Sequence, residues 1–132
     1  KYVNLKGDSI EIIDLRGKVV LIDFFYKACM PCIQALPHLQ KLHEKYKDKG
    51  LVVLGVDLDD HRIIIKPFMN KQDVTYDVLL GNSKEVRSVY KVRAYPSMYI
   101  LDKEGKIIKT QIGYGKGIEK KLEKAIKKAL KE

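Results

Sequence analysis

Residues 19–32 read VVLIDFFYKACMPC, and this stretch decides the fold. Its first seven residues are a nearly continuous run of aliphatic and aromatic side chains, which predicts a strand buried on both faces, as in a parallel sheet. In residues 31–48 the apolar side chains recur close to the helical period, which predicts an amphipathic helix. Residues 51–56 form a second buried strand. Strand, helix and strand in this order predict a βαβ unit with a right-handed crossover.

The rest of the chain predicts a mixed sheet with helices for both of its faces. The chain shows no internal repeat, linker or composition break, so we expect a single α/β domain over residues 1–132. The further strands are predicted at residues 2–5, 10–13, 76–80, 97–101 and 106–112, with a hairpin turn at 102–105. Three further helices are predicted. The first covers residues 61–72, the second begins after a cap at Asn82 or Ser83, and the third covers residues 116–131.

The composition excludes several classes of function. The 132 residues include 26 Lys and Arg against 17 Asp and Glu, a net charge of +9, and 45% are hydrophobic. That balance is typical of a globular protein and not of a disordered one. Aromatic residues do not interleave with the lysines of residues 116–131, so we expect a solvated helix face and no nucleic-acid site. No apolar run approaches the roughly 18 residues that span a bilayer.

The chain has two cysteines, Cys29 and Cys32, which are too few for a disulfide framework. Without a histidine pair at ligand spacing, they also cannot form a four-ligand zinc site. Cys29 falls at the predicted helix N-terminus, where the helix dipole and unpaired N–H groups favour a thiolate. A disulfide across one helical turn adds little stability and suits reversible electron exchange. We therefore expect Cys29 to be the exposed attacking thiolate and Cys32 the resolving thiol. Two inert buried thiols, or half of a metal site shared with a partner, are the alternatives.

Three other clusters are predicted to have no catalytic role. The acidic residues at 57–61 lack the glycine and distal glutamate of a calcium loop, so we expect a solvated loop and helix cap. His38 and His43 do not share a helix face well, and we expect both at the surface. The glycine-rich residues 113–117 lack the phosphate-loop pattern and are expected to form a flexible turn.

Two segments resemble the thioredoxin superfamily. Residues 19–32 are similar to its active-site strand and Cys-X-X-Cys motif, and residues 92–105 are similar to its proline loop, strand and hairpin. Cys29 and Pro96 lie 67 positions apart, which leaves room for an inserted helix and strand near residues 60–80. The chain resembles the TlpA/ResA branch of thiol–disulfide oxidoreductases over nearly its whole length.

The resemblance implies a thioredoxin fold: a central mixed β-sheet flanked by helices, with an N-terminal β-hairpin and an inserted helix–strand element. It implies that Cys29 is the nucleophile, that Cys32 is the resolving thiol, and that Pro96 is a cis-proline facing the disulfide. A trans loop proline is the alternative for Pro96. Asp23 matches a buried acid that assists proton transfer to the resolving thiol, and desolvation in a strand raises the pKa of such a carboxyl. The alternative for Asp23 is a paired structural acid, for example one paired with a lysine.

The resemblance also implies a substrate-binding surface. Tyr95 would offer backbone groups to a substrate chain, beside Ala94, Met30 and Pro31. The sequence departs from the family here: the chain has no tryptophan, and Ala28 stands where the family usually has one before the first cysteine. Met30 replaces the glycine of thioredoxin, and Ala94 stands where glycine is common. These departures predict a less bulky active-site surface and prevent the redox potential from being carried over.

The predicted function is thiol–disulfide exchange with protein thiols, in the direction of a reductase, with no cofactor besides the cysteine pair. The expected partners are a protein thiol or disulfide substrate and an upstream redox donor, and we expect a monomer. The chain begins without Met, so we expect a trimmed or mature domain. The resemblance implies a location in the bacterial envelope or periplasm, with a membrane tether outside this domain; the cytoplasm is the alternative location. A thiol peroxidase is disfavoured because residues 26–28 contain no threonine. A dithiol metal-binding or docking module lacks a methionine or histidine cluster for copper.

Overall fold

The computed structural model describes residues 2–4, 7–57, 62–81 and 94–132. Seven strands and three α-helices alternate along these residues, with short 3-10 helices at Ile12–Leu15 and Lys47–Lys49. The strands are β1 Tyr2–Asn4, β2 Ser9–Ile10, β3 Val19–Phe25, β4 Leu51–Asp57, β5 Asp77–Leu80, β6 Ser97–Leu101 and β7 Ile107–Ile112. The helices are α1 Met30–Tyr46, α2 Arg62–Lys71 and α3 Ile118–Lys131.

All seven strands form one mixed sheet in the order β2-β1-β5-β4-β3-β6-β7. Strand β3 lies between β4, which runs parallel to it, and β6, which runs antiparallel. Strand β5 is parallel to β4, whereas β1 and β7 pair antiparallel with their neighbours. The predicted thioredoxin-type architecture, a central mixed sheet with helices, an N-terminal hairpin and an inserted helix–strand element, is confirmed.

Strand β3 is buried along its whole length. Alternate side chains point to opposite faces of a strand, so Leu21 and Phe25 join the core beneath the helices, whereas Ile22 and Phe24 join a second core on the other face. Asp23 lies on the same side of β3 as Leu21 and Phe25, so its carboxyl points into the helix-covered face of the sheet.

Helix α3 covers the same sheet face as α1. It buries Leu122, Ile126 and Ala129 and leaves its lysines outside, as the periodicity predicted. Glu123 fastens it to α1, because its Oε2 accepts hydrogen bonds from Lys45 Nζ at 2.7 Å and from the Tyr46 hydroxyl at 2.6 Å.

The predicted elements agree with the structure except at a few boundaries. The strand predicted at residues 10–13 is wrong beyond Ile10, because a 3-10 helix starts at Ile12. The last helix begins at Ile118 and not at residue 116, after Gly117 in a left-handed conformation. The helix predicted after Asn82 or Ser83 lies outside the described residues.

None of the helices in the described ranges combines the length and apolar character that crossing a bilayer requires.

A substitution at Gly55 tests the packing around β3 and β4. A methyl group there would lie 3.0 Å from Cε1 of Phe25 and 3.4 Å from Cε1 of Tyr76, both in the core. Because these rings are close-packed, we expect Gly55→Ala to lower the free energy of unfolding in urea by about 1–3 kcal/mol. Gly115→Ala is the matched control, since its methyl group would meet nothing within 4 Å. Equal stability of the two variants would contradict this account.

Candidate active site

Cys29 and Cys32 form a disulfide at the start of α1. The Cys29 N–H donates to the carbonyl of Tyr26 at 3.2 Å, which fixes the turn between β3 and the helix. Cys29 is the N-cap of α1, and its Sγ accepts from the Cys32 N–H at 3.3 Å. Pro31 occupies the first turn, where a missing N–H leaves no helical bond unmade. A backbone donor is therefore aimed at Cys29 Sγ, where negative charge develops when the disulfide opens.

The two sulfur-bearing residues differ in exposure. Cys29 is 6% exposed and Cys32 is fully buried. The expectation of an exposed Cys29 is therefore wrong in degree, because the chain packs around this residue on its way into α1. Cys29 is nevertheless the more exposed of the two cysteines. Met30 beside it is 69% exposed, and Pro31 is also exposed, so an apolar surface adjoins the disulfide.

The proline loop reaches the same end of the sheet. The Tyr95–Pro96 peptide bond is cis and Pro96 is buried, so the trans alternative is wrong. Ser97 pairs with Phe24, which places the residues just before it alongside the end of β3. The Tyr95 ring packs edge-on against the Tyr26 ring, with 5.0 Å between centroids. Tyr95 and Pro96 thus lie beside the segment that leads into the cysteine pair.

Ala94 closes the loop at its outer side. It is exposed, and its carbonyl accepts a hydrogen bond of 2.5 Å from the Ser97 hydroxyl.

Asp23 is fully buried on the helix-covered face of the sheet. Neither of its carboxyl oxygens has a hydrogen-bond partner among the described residues, and no lysine there pairs with it. The alternative of a lysine-paired structural acid therefore has no support in this part of the chain. Burial raises the pKa of Asp23 from 3.8 to about 8. A carboxyl with that proton affinity can both take and return a proton near neutral pH.

The two helix histidines are half-buried and keep part of their surface exposed, which agrees with the expected surface position. His38 stacks on the ring of Tyr114 and forms an ion pair with Glu119 of α3. His43 meets the Tyr76 ring edge-on at 6.0 Å. Each histidine of α1 thus packs against a tyrosine ring from another part of the chain. Helix periodicity alone does not predict these contacts.

The described residues contain no group of three side chains able to hold a metal ion.

The acidic cluster at residues 57–61 was predicted to be a solvated loop and helix cap. Asp57 is buried at the end of β4, so it is not part of a solvated loop. The other members of the cluster lie outside the described residues. The glycine-rich residues 113–117 form turns before α3, as predicted.

Two residues near Asp23, Gly55 and Tyr76, were not among the predicted site residues. Gly55 is the β4 partner of Asp23, and Tyr76 packs over Gly55. A glycine inside a buried strand often marks a close approach, which was an available signal for Gly55. Nothing in the sequence links Tyr76 to Asp23, because only the strand register brings them to one place.

The buried carboxyl predicts a pH-dependent stability. Between pH 4 and pH 8 the unfolded chain releases the Asp23 proton while the folded chain keeps it, so the free energy of unfolding falls as the pH rises. The shift from 3.8 to about 8 corresponds to a loss on the order of 5 kcal/mol. We expect Asp23→Asn to remove this loss and to be more stable than the wild type at pH 8, measured by urea unfolding of the oxidised protein.

Asp48→Asn is the control for this prediction, because Asp48 is exposed in the folded protein. It should follow the wild-type pH profile. A wild type whose stability is flat from pH 5 to pH 8, with Asp23→Asn following it, would overturn the assignment of Asp23 as a buried protonated acid.

Comparison with known proteins agrees with this geometry. The AhpC/TSA family matches residues 1–110. The thiol-disulfide oxidoreductase ResA of Bacillus cereus is 33% identical over 110 residues, covering 83% of this chain and 64% of that protein. ResA of Bacillus thuringiensis subsp. konkukian is 33% identical over 125 residues, covering 95% of this chain and 71% of that protein. The chain therefore spans less than two thirds of the length of the first relative.

A solved structure shows the same fold. A candidate thiol:disulfide interchange protein DsbE from Chlorobium tepidum superposes with a TM-score of 0.91 at 27% identity, covering 98% of this chain and 92% of that one. The resemblance drawn from residues 19–32 and 92–105 is confirmed by these relatives. The chain belongs to the AhpC/TSA family of thioredoxin-fold proteins, in which it is similar to thiol–disulfide oxidoreductases of the ResA kind.

Proposed function

We propose that this protein is a thiol–disulfide oxidoreductase that exchanges the Cys29–Cys32 disulfide with protein thiols and works as a reductase. The observation that carries the proposal is the disulfide at the N-terminus of α1, with one sulfur-bearing residue slightly exposed and the other fully buried. A disulfide that served only stability would gain little from closing so short a loop.

Reduction of a substrate disulfide takes two displacements. The Cys29 thiolate attacks one substrate sulfur, so that a Cys29–substrate disulfide forms, the substrate S–S bond breaks and one substrate thiolate leaves. Cys32 then loses its proton and attacks Cys29 Sγ, which forms the Cys29–Cys32 bond and releases the second substrate thiolate. Two electrons pass from the cysteine pair to the substrate, and the disulfide seen in the structure is the product state.

Asp23 is proposed as the base for the second displacement. Cys32 is fully buried, so solvent has no direct access to its proton. Asp23 lies on the sheet face that α1 covers, and its pKa of about 8 suits a group that takes a proton from a thiol and later returns it. A base at Cys32 assists the step that closes the disulfide in the enzyme, and in the reverse step the protonated carboxyl returns the proton to Cys32.

The substrate is proposed to be a protein segment lying over Met30, Pro31, Ala94 and Tyr95, with Pro96 facing the disulfide. This surface is partly exposed and mostly apolar.

We propose that the cysteine pair works without a further cofactor and that an upstream thiol donor reduces it again. We also propose that the protein is a monomer in the bacterial envelope, with a tether outside this chain. The relatives named ResA support the activity, and each of the other points is a proposal.

Substitution of each cysteine tests the proposed roles. Dithionitrobenzoate is a suitable probe, because each displacement releases one coloured thiolate. The reduced wild type should release two equivalents per protein. Cys29→Ser should slow the first release about 1000-fold or more, because the buried Cys32 thiol replaces the nucleophile poorly. Cys32→Ser should release one equivalent and keep the other as a mixed disulfide on Cys29, visible as an added mass that dithiothreitol removes.

Equal rates in Cys29→Ser and the wild type would overturn the assignment of the nucleophile. The thiol peroxidase alternative has a separate readout: reduced protein that consumes hydrogen peroxide much faster than it reduces a protein disulfide would replace the proposed function with that one.

The reduction potential of the Cys29–Cys32 pair tests the direction. We expect a value near the thioredoxin range of about −270 mV, measured by equilibration with glutathione or dithiothreitol buffers. A value near about −120 mV would show an oxidant and would contradict the reductase proposal.

A further inference from the structure

The surroundings of Asp23 on the sheet contain a space that no side chain of the adjacent strand fills. Asp23 pairs in register with Gly55 of β4 on one side and with Met98 of β6 on the other. Gly55 has no side chain, so β4 itself places no side-chain atom next to Asp23 on this face, and the rings of Phe25 and Tyr76 pack over the glycine instead. A charged or polar cross-strand neighbour is therefore absent from the place where a partner for a strand acid would normally stand.

The ring of Tyr76 enters this space. Tyr76 immediately precedes β5, and its Cε1 lies 3.4 Å from the position a Gly55 methyl group would take. Tyr76 is 4% exposed. Its hydroxyl, like both carboxyl oxygens of Asp23, has no hydrogen-bond partner among the residues that the structure describes. Two buried polar groups that each lack a partner thus lie on the same face around one glycine, and leaving both unpaired is costly.

The charges of these two groups also act on each other. Burial raises the pKa of Tyr76 well above 10.0, and a negative charge on Asp23 raises it further. The phenol therefore stays protonated over the whole range in which Asp23 titrates. It can only donate a hydrogen bond to an ionised Asp23, and an ionised carboxylate accepts such bonds strongly.

Within residues 7–57, 62–81 and 94–132, few other titratable groups face this pair from the packed elements. The core side chains of β5, β6, α2 and α3 here are apolar. Helix α1 contributes the cysteine pair and the half-buried His43 beside the Tyr76 ring, and β4 contributes Asp57 two positions beyond Gly55. Lys66 and Asp77 line a cavity of about 260 Å³ that Tyr76 also borders.

We propose that Tyr76 is a positioning residue for Asp23: its hydroxyl donates a hydrogen bond to the ionised Asp23 carboxylate, directly or through one water molecule. This inference rests on the proposed function, in which Asp23 takes the proton of Cys32. With one carboxylate oxygen held by Tyr76, the other is left for the Cys32 thiol. The hydroxyl thereby stabilises the form of Asp23 that acts as the base.

Tyr76→Phe tests the proposal by removing only the hydroxyl. The Asp23 carboxyl carbon is followed by carbon-13 NMR from pH 5 to pH 10 in the oxidised protein. We expect the pKa of Asp23 to rise by about one pH unit, because the ionised form loses its donor. In the dithionitrobenzoate assay, the pH profile of the second thiolate release should move to higher pH by the same amount. A pKa of Asp23 that stays unchanged or falls overturns the proposal.

Two further variants separate positioning from a purely structural role. Tyr46→Phe also removes a hydroxyl from a core tyrosine, but that hydroxyl bonds Glu123, so Asp23 should titrate as in the wild type. In an Asp23→Asn background, Tyr76→Phe should leave the second release unchanged, and an equal slowing there would overturn the proposal. If the wild type exchanges no disulfide, the proposed function fails, while the NMR titration still decides whether Tyr76 bonds Asp23.

Discussion

The burial of strand β3 on both faces is the constraint that positions the residues of the site. All seven of its residues are buried, and it pairs with β4 and β6 along most of its length. The strand delivers the chain to the N-terminus of α1, where Cys29 caps the helix. Its pairing with β6 brings Pro96 to the same end of the sheet. The redox pair, the acid and the proline loop are thus positioned by one strand whose own side chains are held by two cores.

The same constraint makes Asp23 unfavourable for stability and suitable for chemistry. A carboxyl without a partner in a core costs free energy in its ionised form, and the folded protein responds by keeping its proton. A salt bridge with a lysine would relieve that cost, but it would also hold the carboxyl ionised and lower its affinity for a proton. Gly55 in the opposite position and a neutral phenol at Tyr76 avoid that outcome, because neither carries a charge.

Part of the net positive charge of the protein lies on helix α3. Helix α3 carries lysines on its outer face and buries an apolar stripe. Near the disulfide, the exposed side chains include Met30 and the neighbouring Ala28, and Lys27 places its Nζ 5.5 Å from the centroid of the Phe68 ring. Among the described residues, Met30, Pro31 and Ala28 thus give the surface beside the cysteine pair an apolar part, on which the proposed polypeptide substrate would lie.

The sequence by itself determined the βαβ unit, the cysteine pair at the helix start and the mixed sheet, because burial and helix periodicity leave local patterns in residues 19–56. The proline loop and the acid at position 23 came from resemblance. The tertiary structure decided how far each group is buried: it left Cys29 only slightly exposed and placed His43 against a ring. It also brought Tyr76 over Gly55 beside Asp23, because strand register joins positions that are distant in sequence and that no local pattern connects.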